Sequence, residues 1–314
     1  MADRGAAERP PGSFPIGLLA LDIDGTLIGD DLVLGPRTKA AVAAARARGV
    51  HVSLVTGRMT SSALPFAREL GLTDPIVAYQ GALVRELPPP ERDPRLGRIL
   101  AHRPLPAGPA REAIVWAKSV GLEAHINHLE RFVVQADDPR AEDYSSFFGA
   151  RATVVPDLCT WIRHPVSKVL AVGADTIPED VLQDGRQRFA GRAAVTLSHP
   201  RFLEFLAYGV SKARGVRHLA RRAGVPLSRI LAIGDQFNDV EMLAEVGHGA
   251  AMPGAPGPVT AAARYVAPPL ADEGAATLIE RLVLAGESDA RRAAAALEAE
   301  RDEIMAAVAA DPAA

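Results

Sequence analysis

Residues Leu18 to Asp31 read LLALDIDGTLIGDD, an apolar run that empties into two aspartates, Asp22 and Asp24, flanking a single isoleucine. The run Gly17 to Leu21 lacks polar alternation, which is the pattern of a parallel strand covered on both faces. Next comes GPRTKAAVAAARARG, an alanine-rich helix with Pro36 at its start and Gly49 as its stop. VHVSLVTGR gives a second strand, Val50 to Val55, which ends at Thr56 and Gly57. A helix over Ser61 to Leu70 stops at Gly71, and PIVAYQGA, Pro75 to Ala82, reads as a third strand. This β-α-β-α-β order argues for a parallel sheet flanked by helices.

After Leu83 the texture changes to VRELPPPERDPRLG, rich in proline and charge, and the alternation is lost until about Pro200. Strand-like runs (RFVVQA, ATVVP, KVLAVG, AAVTL) and helix-like ones (AREAIVWAKSVG, PEDVLQDGRQRFAG) mark an inserted α+β lobe. From VSKARGVRHLARRAGV onward the first pattern returns: a helix to Gly224, a strand Ile230 to Ile233 ending in GDQFND, a helix to Glu245, and a helix over Ala275 to Ala285. The expected division is a disordered tail over 1–15, a discontinuous core of 16–84 and 201–286, an inserted lobe of 85–200, and a C-terminal helical extension of 287–314. In that extension Leu297, Ile304, Met305 and Val308 form a thin apolar stripe, expected to pack against the core.

The 314 residues, 48% of them hydrophobic, can bury a substantial core. A net charge of -3 gives no basic field for nucleic acid. Cys159 is the sole cysteine, which rules out an internal disulfide and a CxxC site and fits a reducing cytoplasm. No stretch approaches the length of a spanning helix, and the N-terminus lacks the apolar core of a signal peptide. A cytoplasmic protein without membrane or nucleic-acid partners is expected, as a monomer or homodimer.

In open parallel sheets ligands bind beyond the carboxyl ends of the strands, where Asp22, Thr56 and Asp235 all fall. Two acids leaving a buried strand repel each other and ask for a cation. Hard oxygen donors suit Mg²⁺, which takes few carboxylates and leaves room for phosphate oxygens and water. A calcium loop is excluded, because Leu27 stands at its glycine position and Val33 at its bidentate glutamate position. GxxxxGK[ST] does not occur, and no GxGxxG follows the first strand.

DIDGT (Asp22 to Thr26), VTGR with Thr56, SK with Lys212, and GDQFND (Asp235 to Asp239) resemble, in order and spacing, the four motifs of the haloacid dehalogenase superfamily. The long insertion between the second and third motifs, with GDxxND followed by GHGAAM, is similar to the Cof-type phosphatases with a large α/β cap. The resemblance covers Gly17 to Ala285 and implies an α/β fold, a Rossmann-like doubly wound parallel sheet with an inserted cap. It implies a Mg²⁺-dependent phosphatase acting on a small phosphorylated metabolite such as a sugar phosphate, nucleotide or phosphorylated cofactor. Asp22 is then the nucleophile and Asp24 the acid/base. Thr56, Gly57, Lys212 and Asn238 bind phosphate, while Asp22, the backbone carbonyl of Asp24, Asp235 and Asp239 hold the metal. Two rival readings remain: a phosphomutase on the same scaffold, and a non-catalytic phosphometabolite-binding or regulatory protein.

These residue types suit the chemistry. Phosphate-monoester hydrolysis is among the slowest uncatalysed reactions, accelerated up to ~10²¹-fold, so charge neutralisation must outweigh any single proton transfer. The chain holds only four lysines, Lys39, Lys118, Lys168 and Lys212, and the last stands just before a helix at the matching place. Singly, several residues have plainer readings: Asp235 or Asp239 as helix caps, Thr56 as a turn residue, Arg58 as half of a structural ion pair. Trp116 and Trp161 read as core of the inserted lobe, and ERDPR (Glu91 to Arg95) as a solvated turn. HINH, with His125, Asn127 and His128, and Tyr144 supply polar groups of the inserted lobe that could reach a substrate, with surface loop as the plainer reading. Gln80 stands where relatives often carry asparagine, and Pro253 and Gly254 where they often carry Gly-Asn; neither Gln80 nor Gly254 is placed in the site.

Overall fold

The computed structural model of the chain describes residues 11–88, 96–136, 138 and 151–310. Its strands are β1 (Leu18–Leu21), β2 (His51–Leu54), β3 (Ile76–Ala78), β4 (Leu83–Arg85), β5 (Ile99–His102), β6 (Glu123–His128) and β7 (Arg131–Gln135). They continue as β8 (Ala152–Val155), β9 (Lys168–Val172), β10 (Ala193–His199), β11 (Phe202–Ala207), β12 (Ile230–Gly234), β13 (His248–Ala251) and β14 (Tyr265–Val266). Two compact units emerge: the described residues up to Ser53 with Val216–Asp235 and those from Asp239 on, and Leu54–Gly215 with Gln236–Asn238. The changes of sequence texture near 84/85 and 200/201 fall inside the second unit.

The first unit is built on a sheet of order β14-β13-β12-β1-β2. β1 runs parallel to β12, pairing Leu18 with Ile230 through Leu21 with Ile233, and β12 runs parallel to β13. Every residue of β1, β12 and β13 is buried, as expected of strands covered on both faces. Helix Pro36–Ala47 begins with its proline in the first turn, and Gly49 follows it at φ 79°, the left-handed stop expected of a glycine. Ser13 and Phe14 are not loose tail: Ser13 Oγ donates to Ser228 Oγ at 2.8 Å, and Phe14 packs on His248.

The second unit holds an antiparallel sheet β3-β4-β5 and a six-stranded sheet of order β10-β11-β9-β6-β7-β8. On one face of the larger sheet Ile126, Val133, Val169, Leu203 and Phe205 pack with Ile114 and Trp116 of helix Ala107–Ser119 and Leu182 of helix Glu179–Arg188. Trp116 meets Phe205 edge-on at 5.5 Å and donates its indole N–H to Asp184, while Trp161 packs on the margin of this cluster. The alternate positions, His125, Asn127, Lys168 and Glu204, turn to the opposite face by the two-residue period of a strand and are also buried.

Four further expectations need correction. HINH is no surface loop: it is β6, with His125 at 0% and Asn127 at 2% exposure, and His125 Nε2 lies 2.6 Å from Asp138. The third strand ends at Ala78, because Tyr79 and Gln80 take φ of 51° and 56°, which no strand continues through. The strand-helix texture also hid β4, β5 and β11, the last because Glu204 interrupts its apolar run. In the C-terminal helix Glu287–Ala310 the packing side is Ala290, Ala294 and Leu297, whereas Ile304 is 42% exposed. Tyr144, the ERDPR run and the side chain of Val308 lie outside the described residues.

Candidate active site

In the first unit β1 carries Asp22 to the carboxyl end of the strand, with its backbone N–H still donating to Ile233 O at 3.1 Å. The chain then folds back on itself, with Leu27 N and Ile28 N both donating to Ile23 O. Gly25 makes that turn possible. It adopts φ 72°, and a Cβ there would stand 2.3 Å from Asp235 Oδ2. β12 delivers Asp235, and the short turn Phe237–Asp239 brings back Asp239, whose Oδ2 accepts from Asp235 N at 3.2 Å.

Asp22, Asp235 and Asp239 each offer a carboxylate oxygen within 4.8 Å of the other two. Asp22 is 5% and Asp239 0% exposed. Three hard anionic donors at this spacing, without nitrogen or sulfur, fit an octahedral divalent cation such as Mg²⁺ and leave positions for water and phosphate oxygens. The carboxylate of Asp24 is not in this group; Asp24 is half-buried at the turn and forms a backbone bridge with Ile28.

In the second unit Thr56 is buried beyond β2, its N–H donating to Val77 O at 2.9 Å. Its Oγ1 accepts from Arg58 N at 3.1 Å, so the turn reading of Thr56 is satisfied as well. The Arg58 guanidinium donates to Ser62 Oγ at 3.2 Å and lies over the Phe66 ring. Opposite Thr56, Gln80 N donates to Thr56 O at 3.0 Å, which couples the Tyr79-Gln80 turn to the Thr56-Gly57 loop. Burial holds the Tyr79 phenol well above its ordinary pKa, so it is a protonated donor, to Leu129 O. Lys212, fully buried, opens helix Lys212–Ala223. A Cβ on Gly81 would stand 2.1 Å from Ser211 O, so the same turn presses on the residue before Lys212. Asn238 Nδ2 donates to Gln80 Oε1 at 2.9 Å.

The structure thus groups Asp22 with Asp235 and Asp239, and Thr56, Gly57 and Asn238 around Gln80. Sequence reasoning left out Gln80, Glu204 and Lys168: Gln80 Nε2 donates to Glu204 Oε1 at 3.1 Å, and Lys168 Nζ pairs with Glu204 Oε2 at 2.9 Å. The signals available were a polar residue inside each of two apolar strands, KVLAV and FLEFLA. A cavity of about 1070 Å³ in the second unit, lined among others by Arg85, His128, Arg131, Trp161 and Arg163, contains none of the motif residues.

Comparison with known proteins gives the family. Residues 19–279 match the family of haloacid dehalogenase-like hydrolases. The HMP-PP phosphatase of Serratia proteamaculans is 31% identical over 242 residues, covering 75% of this chain and 83% of that protein. The 5-amino-6-(5-phospho-D-ribitylamino)uracil phosphatase of Bacillus subtilis is 29% identical over 242 residues, 75% of this chain and 86% of that one. A crystal structure of a haloacid dehalogenase-like hydrolase from Bacteroides thetaiotaomicron, 27% identical, superposes with a TM-score of 0.71 over 85% of this chain and 99% of that one. The chain belongs to the haloacid dehalogenase-like hydrolases, in the Cof-type phosphatase subfamily whose motifs its sequence carries.

Proposed function

We propose that this phosphatase is a Mg²⁺-dependent phosphomonoesterase that hydrolyses a small phosphorylated metabolite through an aspartyl-phosphate on Asp22. The observation that carries the reading is the group of three carboxylates, Asp22, Asp235 and Asp239, at the ends of two neighbouring parallel strands. The two curated relatives are named for small phosphorylated compounds, which supports a substrate of that size.

Asp22, Asp235 and Asp239, with the backbone carbonyl of Asp24, are the residues suited to hold Mg²⁺, which when bound neutralises phosphoryl charge beside the nucleophile. In the first step a carboxylate oxygen of Asp22 attacks phosphorus, and the bond from phosphorus to the leaving oxygen breaks. Asp24 gives that oxygen its proton. In the second step Asp24, now ionised, takes a proton from water as the water oxygen attacks phosphorus, and inorganic phosphate leaves with the Asp22 carboxylate restored. The Lys212 ammonium offsets charge on the phosphoryl oxygens, and the Thr56 hydroxyl and Gly57 N–H donate to them. Residues 85–200 are assigned to recognition of the leaving group.

The test is phosphate release from a broad panel of phosphorylated metabolites, with Mg²⁺ or EDTA, for wild type and Asp22→Asn. Metal-dependent release is expected, falling by roughly 10³-fold or more in the variant. Wild-type turnover in Asp22→Asn would overturn the proposal, and isomerised sugar phosphate without free phosphate would replace it with a mutase.

A further inference from the structure

The second unit contains a buried ion pair that none of the assigned roles uses. Lys168 is 3% and Glu204 2% exposed, and both sit on the face of the six-stranded sheet opposite its apolar core. Burying such a pair costs desolvation on both partners, and well-packed apolar residues in its place are often neutral or stabilising. What this pair gains is visible in its remaining hydrogen bonds. Lys168 Nζ donates to Gly57 O at 3.0 Å and lies 5.9 Å from the centroid of the Tyr79 ring. Glu204 Oε1 accepts from Gln80 Nε2 and from Ser198 Oγ. Lys168 therefore reaches Gly57, a candidate site residue, and Glu204 reaches Gln80, which in turn holds Asn238.

Polarity passes along these contacts in one direction. The Glu204 carboxyl takes Lys168 Nζ on one oxygen and the amide nitrogen of Gln80 on the other. Gln80 then faces Asn238 with its oxygen, and Asn238 must answer with Nδ2, as the 2.9 Å contact shows. Asn238 Oδ1 is thereby turned away from Gln80, and it is a buried acceptor with no hydrogen-bond partner among the described residues. The hub itself is under constraint. Tyr79 and Gln80 are consecutive non-glycine residues in the left-handed region, a conformation that persists only where the surroundings over-determine it. Gly57 packs so tightly that a Cβ there would stand 2.3 Å from Gln80 Nε2.

We infer that Gln80 is a positioning residue: it relays the polarity of the Lys168–Glu204 pair to Asn238, so that Asn238 keeps its amide nitrogen on Gln80 and its oxygen, an acceptor, unspent. This rests on the proposed phosphatase reading and changes one part of it. Asn238 serves the site by accepting from a donor such as a water or an ammonium group, where the motif alone suggests a phosphate-binding amide.

A double-mutant cycle with p-nitrophenyl phosphate as probe tests the relay. Gln80→Met should lower kcat roughly 10- to 100-fold, with KM within about twofold, by removing both amide contacts. If Gln80 acts through Asn238, the double variant Gln80→Met/Asn238→Ala should be no slower than Asn238→Ala alone. Losses that multiply would overturn the inference. Side-chain amide hydrogen exchange in the wild type provides a second reading that needs neither activity nor a variant. Protected Gln80 Nε2 and Asn238 Nδ2 hydrogens are expected, and exchange of either at the rate of a free amide would overturn it. A wild type that releases no phosphate from any monoester would remove the proposed function, and the exchange experiment would still decide whether Gln80 holds Asn238.

Discussion

Asp22 and Asp24 stand two residues apart, yet the chain treats them differently. Asp22 is buried with two other carboxylates, while Asp24 stays half-buried at the turn that follows. Their neighbour Gly25 sets this geometry, so Gly25→Ala should destabilise the protein by about 1 kcal/mol or more through its positive φ. The same change should weaken Mg²⁺ binding by pushing on Asp235, and calorimetric titration with Mg²⁺ would show it. If Asp24 protonates the leaving oxygen, Asp24→Asn should cost roughly 10²- to 10⁴-fold with alkyl phosphates. It should cost much less for the formation of phosphorylated enzyme from p-nitrophenyl phosphate, whose leaving group needs no proton; burst kinetics on the two substrates would separate these effects. At this scale the motif acids were legible, because carboxylates at the end of an apolar run have few structural uses. Gln80 was not, since its meaning depends on Glu204, 124 positions away in the chain.

The elements were legible where burial is two-sided or periodicity is plain. β1 and β12 announce themselves as apolar runs, and the alanine-rich helix after β1 by its proline and glycine ends. β6 was missed because its buried polar residues look like a loop when only local composition is read; long-range pairing with β9 makes HINH a strand. The C-terminal helix shows the same limit, since one stripe residue, Leu297, is buried while another, Ile304, is 42% exposed. Leu297→Ala should therefore cost about 2–5 kcal/mol of stability and Ile304→Ala less than about 0.5 kcal/mol, measurable by urea denaturation. On β13, burial holds His248 down to about 4, where it meets the Tyr265 hydroxyl at 2.9 Å and Ser13 O at 3.1 Å. The folded state favours the neutral ring, so its contribution is complete above the ordinary value of 6.5 and is lost as pH falls toward about 4. Unfolding free energies from urea denaturation should fall more between pH 7 and pH 4.5 in wild type than in His248→Gln, by about 2 kcal/mol.

At the scale of the whole chain, composition excluded more than it assigned. A net charge of -3 gave no reason to expect a general attraction to nucleic acid, and among the described residues no helix is long and apolar enough to cross a membrane. The order of the four motifs gave the family and the α/β architecture, because three follow the ends of apolar strands and the remaining one opens a helix. The compact units were not legible, since they follow contacts made across the chain and not its texture. The proposed function turns on a covalent intermediate at Asp22, and rapid quench of a single turnover followed by peptide mapping tests it directly. One phosphoryl group should appear on the peptide containing Asp22, form and decay at rates compatible with turnover, and be absent in Asp22→Asn. Phosphate release without phosphorylated enzyme, or a phosphoryl group on another residue, would contradict the mechanism proposed for this chain.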